Sequence, residues 1–271
     1  MDSTPQRIPV VLDFAGHDPT GGAGIQADIE TIASLGGHAA PVITALTAQD
    51  TSELKYCIPQ KPSDLKIQAS LVLNDMPVKA FKIGLIGSVS LVEAIHDILI
   101  QHKAIPVILD PVMASATGKS LVDNEIQEAI INLLFPHTTV LTPNSLEARR
   151  LAGGMEDLDS AAERLMAYGC AYVLITGTHE QTPAVINTLY ADNRRLRVFE
   201  WERLPGSYHG SGCTLAAAIA VLLAQGCDAV SAVEEAQRFT WKALKEGYKL
   251  GKGQLHPNRF HWKHANEDLQ R

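Results

Sequence analysis

The chain has 271 residues, 46% hydrophobic, 20% charged and 6% aromatic, with 23 Lys and Arg against 30 Asp and Glu. That length and apolar content suffice for a packed core, and a net charge of -7 offers no basic excess to a nucleic acid. Cys57, Cys170, Cys213 and Cys227 form no C-x-x-C pair, which argues against a disulfide scaffold or structural zinc. The longest apolar run, residues 215–224, falls short of the ~20 residues of a membrane span. The apolar stretch 8–12 is too short for a secretory signal, and Asp13 ends it. The expectation is a soluble, cytoplasmic protein with no nucleic-acid or membrane partner.

In chain order, residues 8–14 read as a buried strand and 22–35 as a helix with Ile25, Ile29 and Ile32 on one face. A strand follows at 38–46, a helix at 63–73 capped by Ser63, and a strand at 78–83. Next come a helix at 90–102, a strand at 105–109, a helix at 123–134 and a strand at 139–141. Helices at 145–151 and 159–168 precede the strand 171–175. Residues 184–190 and 195–201 resemble an antiparallel pair across Ala191-Asp192-Asn193. Helices at 211–224 and 228–250 follow, and the polar tail 256–271 is expected to be loose or packed on the surface. This alternation points to one α/β domain, a mostly parallel sheet with helices on both faces.

Ligands of such sheets bind beyond the carboxyl ends of the strands, and four crossings there carry chemistry. The first, residues 16–28, is glycine-rich and contains Asp18 and Asp28. A Walker A loop is excluded because Gly22 stands where its Lys belongs. Residues 116–120 contain Gly118-Lys119-Ser120, but Met113 occupies the place of the required first glycine. Gly22-x-Gly24-x-x-Ala27 fits the dinucleotide fingerprint formally, yet no acidic residue follows in strand 38–46 to hold a ribose. The second crossing, Gly210-Ser211-Gly212-Cys213-Thr214, opens an apolar helix whose free N–H groups suit an anion, while a buried capping Cys explains it equally well. At the third, Asn144 caps a helix containing Glu147; plain capping is the simpler reading, a magnesium-bound phosphate the functional one. At the fourth, the strand 105–109 runs into Asp110. Each has an ordinary structural reading alone, but together they suit phosphoryl transfer.

The ordered motifs identify the sequence as resembling the ribokinase superfamily, and within it the hydroxymethylpyrimidine/phosphomethylpyrimidine kinases of thiamine biosynthesis. They are residues 15–28, 42–50, Lys82-Ile83-Gly84, Asp110-Pro111-Val112-Met113, Thr142-Pro143-Asn144-x-x-Glu147-Ala148 and His209-Gly210-Ser211-Gly212-Cys213-Thr214. The likeness runs from about residue 8 to about residue 250, leaving a polar tail from 251 to 271. It implies a three-layer ribokinase-like fold, ATP and Mg²⁺ as cofactors, a homodimer, and phosphorylation of the hydroxymethylpyrimidine and then of its monophosphate. By position, Asp28 and Gln49 would hydrogen-bond the aminopyrimidine, with Gly16, Leu85 and Val112 against its ring. Cys213 stands where sugar kinases carry an aspartate base, and the backbone of Gly210, Ser211, Gly212 and Cys213 would form the anion hole. Glu147 and Asp110 would organise Mg²⁺, directly or through water, with Asn144 and Thr176 on the nucleotide side.

Some positions depart from the pattern. Relatives often carry Lys-Gly-Gly-His where this chain has Thr176-Gly177-Thr178-His179, and Lys119 stands where an acidic residue is common. His17 replaces a small residue and reads as a solvated turn position. Two other functions fit the same motifs: a pyridoxal or pyridoxine kinase, and a catalytically weak paralogue that binds the pyrimidine.

Overall fold

The computed structural model describes residues 8–113 and 121–262. Strand β1 (Val10–His17) alternates as a doubly covered strand must: Val10, Leu12 and Phe14 enter one core and Val11 the other. It runs straight through Asp13 rather than ending there, because that carboxylate is buried beside a lysine. After α1 (Gly24–Ser34), β2 (His38–Gln49) lies parallel to β1. A short strand with no counterpart in the sequence reading, β3 (Leu54–Pro59), then pairs antiparallel with the end of β2.

The βα alternation continues through α2 (Pro62–Asp75), β4 (Val78–Ile83), α3 (Val89–Leu99), β5 (Val107–Leu109), α4 (Asn124–Ala129) and β6 (Val140–Leu141). It closes with α5 (Ser145–Leu151), α6 (Leu158–Ala167) and β7 (Tyr172–Ile175). The hairpin β8 (Ala184–Ala191) and β9 (Arg194–Glu202) turns over Asp192 and Asn193 alone, both at positive φ. That is a two-residue turn matching the strand twist, with Ala191 paired to Arg194. Helices α7 (Ser211–Ala224) and α8 (Ala229–Lys245) complete the α/β unit.

The nine strands form one sheet in the order β3-β2-β1-β4-β5-β6-β7-β8-β9, parallel from β2 to β7 and antiparallel at both edges. One face packs α2 to α6 around Leu12, Phe14, Phe81 and Leu109. The other packs α1, α7 and α8, with α7 buried nearly all round by its Ala-rich sequence. Helices therefore cover both faces, three layers in all.

Several boundaries differ from expectation. Ser63 does not cap α2: Lys61 does, without a side-chain bond, and Pro62 starts the helix with its φ already set. The helix expected at 123–134 widens into a π-helical, i→i+5 turn from Ile130 to Leu134, just before Pro136. Helix α8 stops at Lys245, and Tyr248 instead pairs with His256. The segment after it is not loose: His256 and Arg259 are both buried. Lys119 and the rest of 114–120 lie outside the described residues.

Candidate active site

The carboxyl ends of β1, β2 and β4 to β7 open into one cavity of about 600 Å³. Its first wall is the loop between β1 and α1, which Asp18 folds around its own carboxylate. Oδ1 accepts the Thr20 N–H at 2.8 Å and Oδ2 the Ala23 N–H at 2.8 Å. His209, from the opposite loop, places Nε2 3.0 Å from Oδ2. Burial disfavours the Asp18 charge, but His209 and the loop N–H groups outweigh it and hold the carboxyl well below its usual range. Gly24 must be glycine: at φ +59° a side chain would put Cβ 2.2 Å from the Gly16 carbonyl.

The opposite wall is the start of α7. Its N-cap, Gly210, is left-handed (φ +75°), and a Cβ there would lie 2.1 Å from the Gly22 carbonyl. The two glycine loops thus touch backbone to backbone. No side chain caps α7, so the N–H groups of Ser211, Gly212 and Cys213, which line the cavity, have no helical acceptor. These N–H groups and the positive end of the helix suit an anion. Cys213 has its thiol between the Gly24 N–H and the Asp110 carboxylate. Burial pushes that thiol well up, against the pull of Lys82. Both Asp110 oxygens would be 3.6 Å from a Cβ on Gly212, so this carboxylate stands at the helix start.

The remaining wall carries Asn144 and Glu147 in a capping box. The Asn144 side chain accepts the Glu147 N–H at 3.0 Å, and Glu147 Oε2 accepts the Asn144 N–H at 2.9 Å. Burial, and then the charge of Asp110, raises Glu147 to about 8; burial raises Asp110 to about 6 against the charge of Lys82. Two carboxylates opposing one another's ionisation are hard oxygen donors that a divalent cation would relieve. Among the described residues no group of three or more His, Cys, Asp or Glu could hold a metal. A pair of carboxylates is a donor set of the kind taken by an ion such as Mg²⁺, which keeps waters and takes phosphate oxygens as ligands.

Gly16, Gln49, Leu85 and Val112 line the cavity together, at the end where β1, β2 and β4 meet. Thr176 lines the other end, its N–H donated to the Pro143 carbonyl at 3.0 Å. Asp28 differs from the expectation. It is wholly buried and does not line the cavity; its Oδ2 receives Lys82 Nζ at 2.6 Å. Lys82 lines the cavity in its place, with Asp13 3.8 Å from the same ammonium. A buried lysine needs such company: burial opposes its charge, and Asp28 and Asp13 outweigh that and hold it up. Burial and then the Asp28 charge push Asp13 well above the carboxylate range, against the pull of Lys82. His17 is no solvated turn residue either; it ends β1, half-buried, and lines the cavity.

Two further features were not singled out from the sequence. Arg203 donates to the carbonyls of Thr178, Thr182 and Glu180 and so fixes the loop after β7. Trp201 and Trp241, with ring centroids 6.3 Å apart, line the outer end of the cavity. Arg203 had no sequence signal, since its partners are carbonyls and one hydroxyl, with no charged residue among them. Lys82 had one: it and Asp13 are charges at inward positions of strands whose neighbouring residues are apolar.

The comparisons agree with this geometry. Residues 18–258 match the family model for phosphomethylpyrimidine kinase. A hydroxymethylpyrimidine/phosphomethylpyrimidine kinase of Mycobacterium bovis is 38% identical over 252 residues, 90% of this chain and 91% of the relative. The thiamine biosynthesis bifunctional protein of Geobacter sulfurreducens is 36% identical over 90% of this chain, which spans only 50% of that longer protein. Among solved structures, the Staphylococcus aureus pyridoxal kinase in complex with AMP-PCP and pyridoxal superposes with a TM-score of 0.86 at 28% identity, covering 95% of each chain. The phosphomethylpyrimidine kinase of Clostridium difficile 630 gives 0.76 at 31% identity, over 88% of this chain and 99% of that one. With a ribokinase-like sheet, an uncapped helix facing a glycine loop, and a family match over most of its length, the chain belongs to the phosphomethylpyrimidine kinase family.

Proposed function

We propose that this chain transfers the terminal phosphoryl group of ATP to the hydroxymethyl oxygen of 4-amino-5-hydroxymethyl-2-methylpyrimidine. A second transfer in the same site then converts the monophosphate to the diphosphate. The observation that carries this reading is the uncapped start of α7, with Cys213 between Gly24 and Asp110 at the floor of the cavity.

The pyrimidine lies over Gly16 between Leu85 and Val112, with Gln49 taking its polar edge and Lys82, rather than Asp28, facing the site. Its hydroxyl is directed at Cys213. As the oxygen bonds to the γ-phosphorus and the bond to the ADP oxygen breaks, the N–H groups of Ser211, Gly212 and Cys213 receive the charge on the moving phosphoryl oxygens. The hydroxyl proton leaves toward Cys213. A raised thiol keeps its own proton, so it takes the hydroxyl's only by passing its S–H proton to the Asp110 carboxylate beside it, and a loose transition state makes that transfer late, when the new O–P bond has made the hydroxyl acidic. Glu147 and Asp110, with Asn144 behind them, would hold Mg²⁺ through water, and that ion would neutralise phosphate charge. The nucleotide extends past Thr176 toward Trp201 and Trp241. Cytoplasmic location and a homodimer belong to this reading through the resemblance; no described helix is long and apolar enough to cross a membrane.

The high superposition on pyridoxal kinase keeps pyridoxal as the second substrate to test. ADP release is measured with Mg²⁺, ATP and either ring, beside Cys213→Ala. Pyrimidine-dependent release that yields monophosphate and then diphosphate, and collapses in the variant, is the expected result. Release with pyridoxal alone would move the assignment to that ring. Tight pyrimidine binding without turnover would leave only a binding role.

A further inference from the structure

Arg259 has 1% of its side chain exposed, so a permanent charge is buried with no role in the chemistry above. It comes from the segment after α8, one residue beyond the stretch that matches the family. Each of its three nitrogens donates, in four bonds altogether. Nε donates to Thr214 Oγ1 at 3.0 Å, Nη2 to the Gly22 carbonyl, and Nη1 to Glu30 Oε2 at 3.0 Å and the Gly21 carbonyl at 3.4 Å. The segment is itself tied down. The Asn258 N–H reaches the Ala243 carbonyl at 2.8 Å, Ser34 Oγ donates to the Arg259 carbonyl at 2.6 Å, and His256 Nε2 lies 3.2 Å from the Thr20 carbonyl.

These bonds close a ring through both glycine loops. Thr214 Oγ1, while accepting from Arg259, donates to the Gly210 carbonyl at 2.8 Å. Gly210 follows His209, which is held by Asp18 Oδ2. That same oxygen accepts the Ala23 N–H, across the peptide whose carbonyl, Gly22, faces Arg259. In a trans peptide the carbonyl and the N–H point opposite ways. Arg259 pulling on the Gly22 carbonyl therefore aims the Ala23 N–H at Asp18. Gly210, whose position sets where the first N–H groups of α7 point, is fixed from both sides of this ring.

We propose that Arg259 is a positioning residue: it locks the loop 18–24 to the start of α7 and so sets the geometry of the anion hole. This rests on the reading of α7 as the phosphoryl site. Removing the guanidinium lets Gly22 and Thr214 relax apart, so the cost falls on the transfer step rather than on the pyrimidine, whose contacts lie at Gly16, Gln49, Leu85 and Val112.

The test compares Arg259→Gln and Arg259→Lys with Glu30→Gln, which removes only the outward ion pair. For each, kcat, the KM for the pyrimidine and thermal unfolding are measured, with amide hydrogen exchange of residues 210–214 in the ligand-free protein. Arg259→Gln is expected to lower kcat about 10- to 100-fold, below the 10²–10³-fold loss of an oxyanion donor, with KM within about threefold. Exchange at 211–213 should rise, Arg259→Lys should recover part of kcat, and Glu30→Gln should keep it. A folded Arg259→Gln with unchanged kcat and exchange would overturn the proposal. So would a Glu30→Gln loss equal to that of Arg259→Gln, because the arginine would then serve only to balance buried charge. If Arg259→Gln does not fold, Arg259→Lys decides by the same kcat and exchange readings. Absence of turnover in the unaltered protein would sink the kinase reading alone, since the exchange measurement still tests the ring.

Discussion

Helices α5 and α7 both start at the cavity, from opposite faces of the sheet, and their first turns are built in opposite ways. Asn144 and Glu147 close the start of α5 with its own side chains, so that helix satisfies itself. Gly210 offers α7 no side chain, and the N–H groups there are left to the cavity. Both motifs read as phosphate-related in the sequence, but only one leaves donors for an anion. In α5 the capping bonds do something else: they hold the Glu147 carboxylate beside Asp110. In the proposed reaction one helix start binds; the other orients.

Breaking the open start should have the largest effect. Gly210→Ala forces a left-handed alanine and a Cβ 2.1 Å from the Gly22 carbonyl. Turnover should fall at least as far as when an oxyanion donor is lost, about 10²–10³-fold, and Asn in its place should not rescue it, because Asn tolerates that φ but brings the same Cβ against the Gly22 carbonyl. Steady-state kcat of the two variants checks this. Glu147→Gln keeps the Asn144 N–H bond but loses the charge, so the ordering role should separate from the capping role. Apparent Mg²⁺ affinity in the turnover assay should weaken about 10- to 100-fold, as for a group acting on a metal through its surroundings, with thermal stability nearly kept. Asn144→Ala does the reverse, costing about 1 kcal/mol in urea unfolding, as a lost N-cap does.

The smallest effect sharpens how the open start is held. Asp18 is depressed below its ordinary value of 3.8, so its contribution to stability is complete above that value and fades as pH falls through the folded one. Asp18→Asn should therefore lower stability at neutral pH and flatten the acid limb of a stability–pH curve below about pH 4 by the same amount, since the variant has no such contribution to lose. An unchanged acid limb would mean that Asp18 does not anchor His209.

Much of this was legible in the sequence because strands buried on both faces leave a continuous apolar record. Residues 78–83 and 145–151 coincide with β4 and α5, and 211–224 with α7. Strand β3 was not, since five of its six side chains are exposed or only part-buried and it is held by backbone pairing with β2. The cavity was foreseeable as a set of motifs at one sheet edge. What the motifs could not show is which distant groups spend their bonding on one another: Asp28 on Lys82, Arg259 on the carbonyls of Gly21 and Gly22. Those pairings join residues up to 238 positions apart and leave no local pattern.

The most direct test follows the backbone amides of residues 145–147 and 211–213 by heteronuclear NMR while AMP-PCP, Mg²⁺ and the hydroxymethylpyrimidine are added. Large shifts at Ser211, Gly212 and Cys213, with small ones at Ser145, Leu146 and Glu147, are the predicted result. Shifts concentrated at 145–147, with 211–213 unmoved, would contradict the assignment of the anion site to the start of α7.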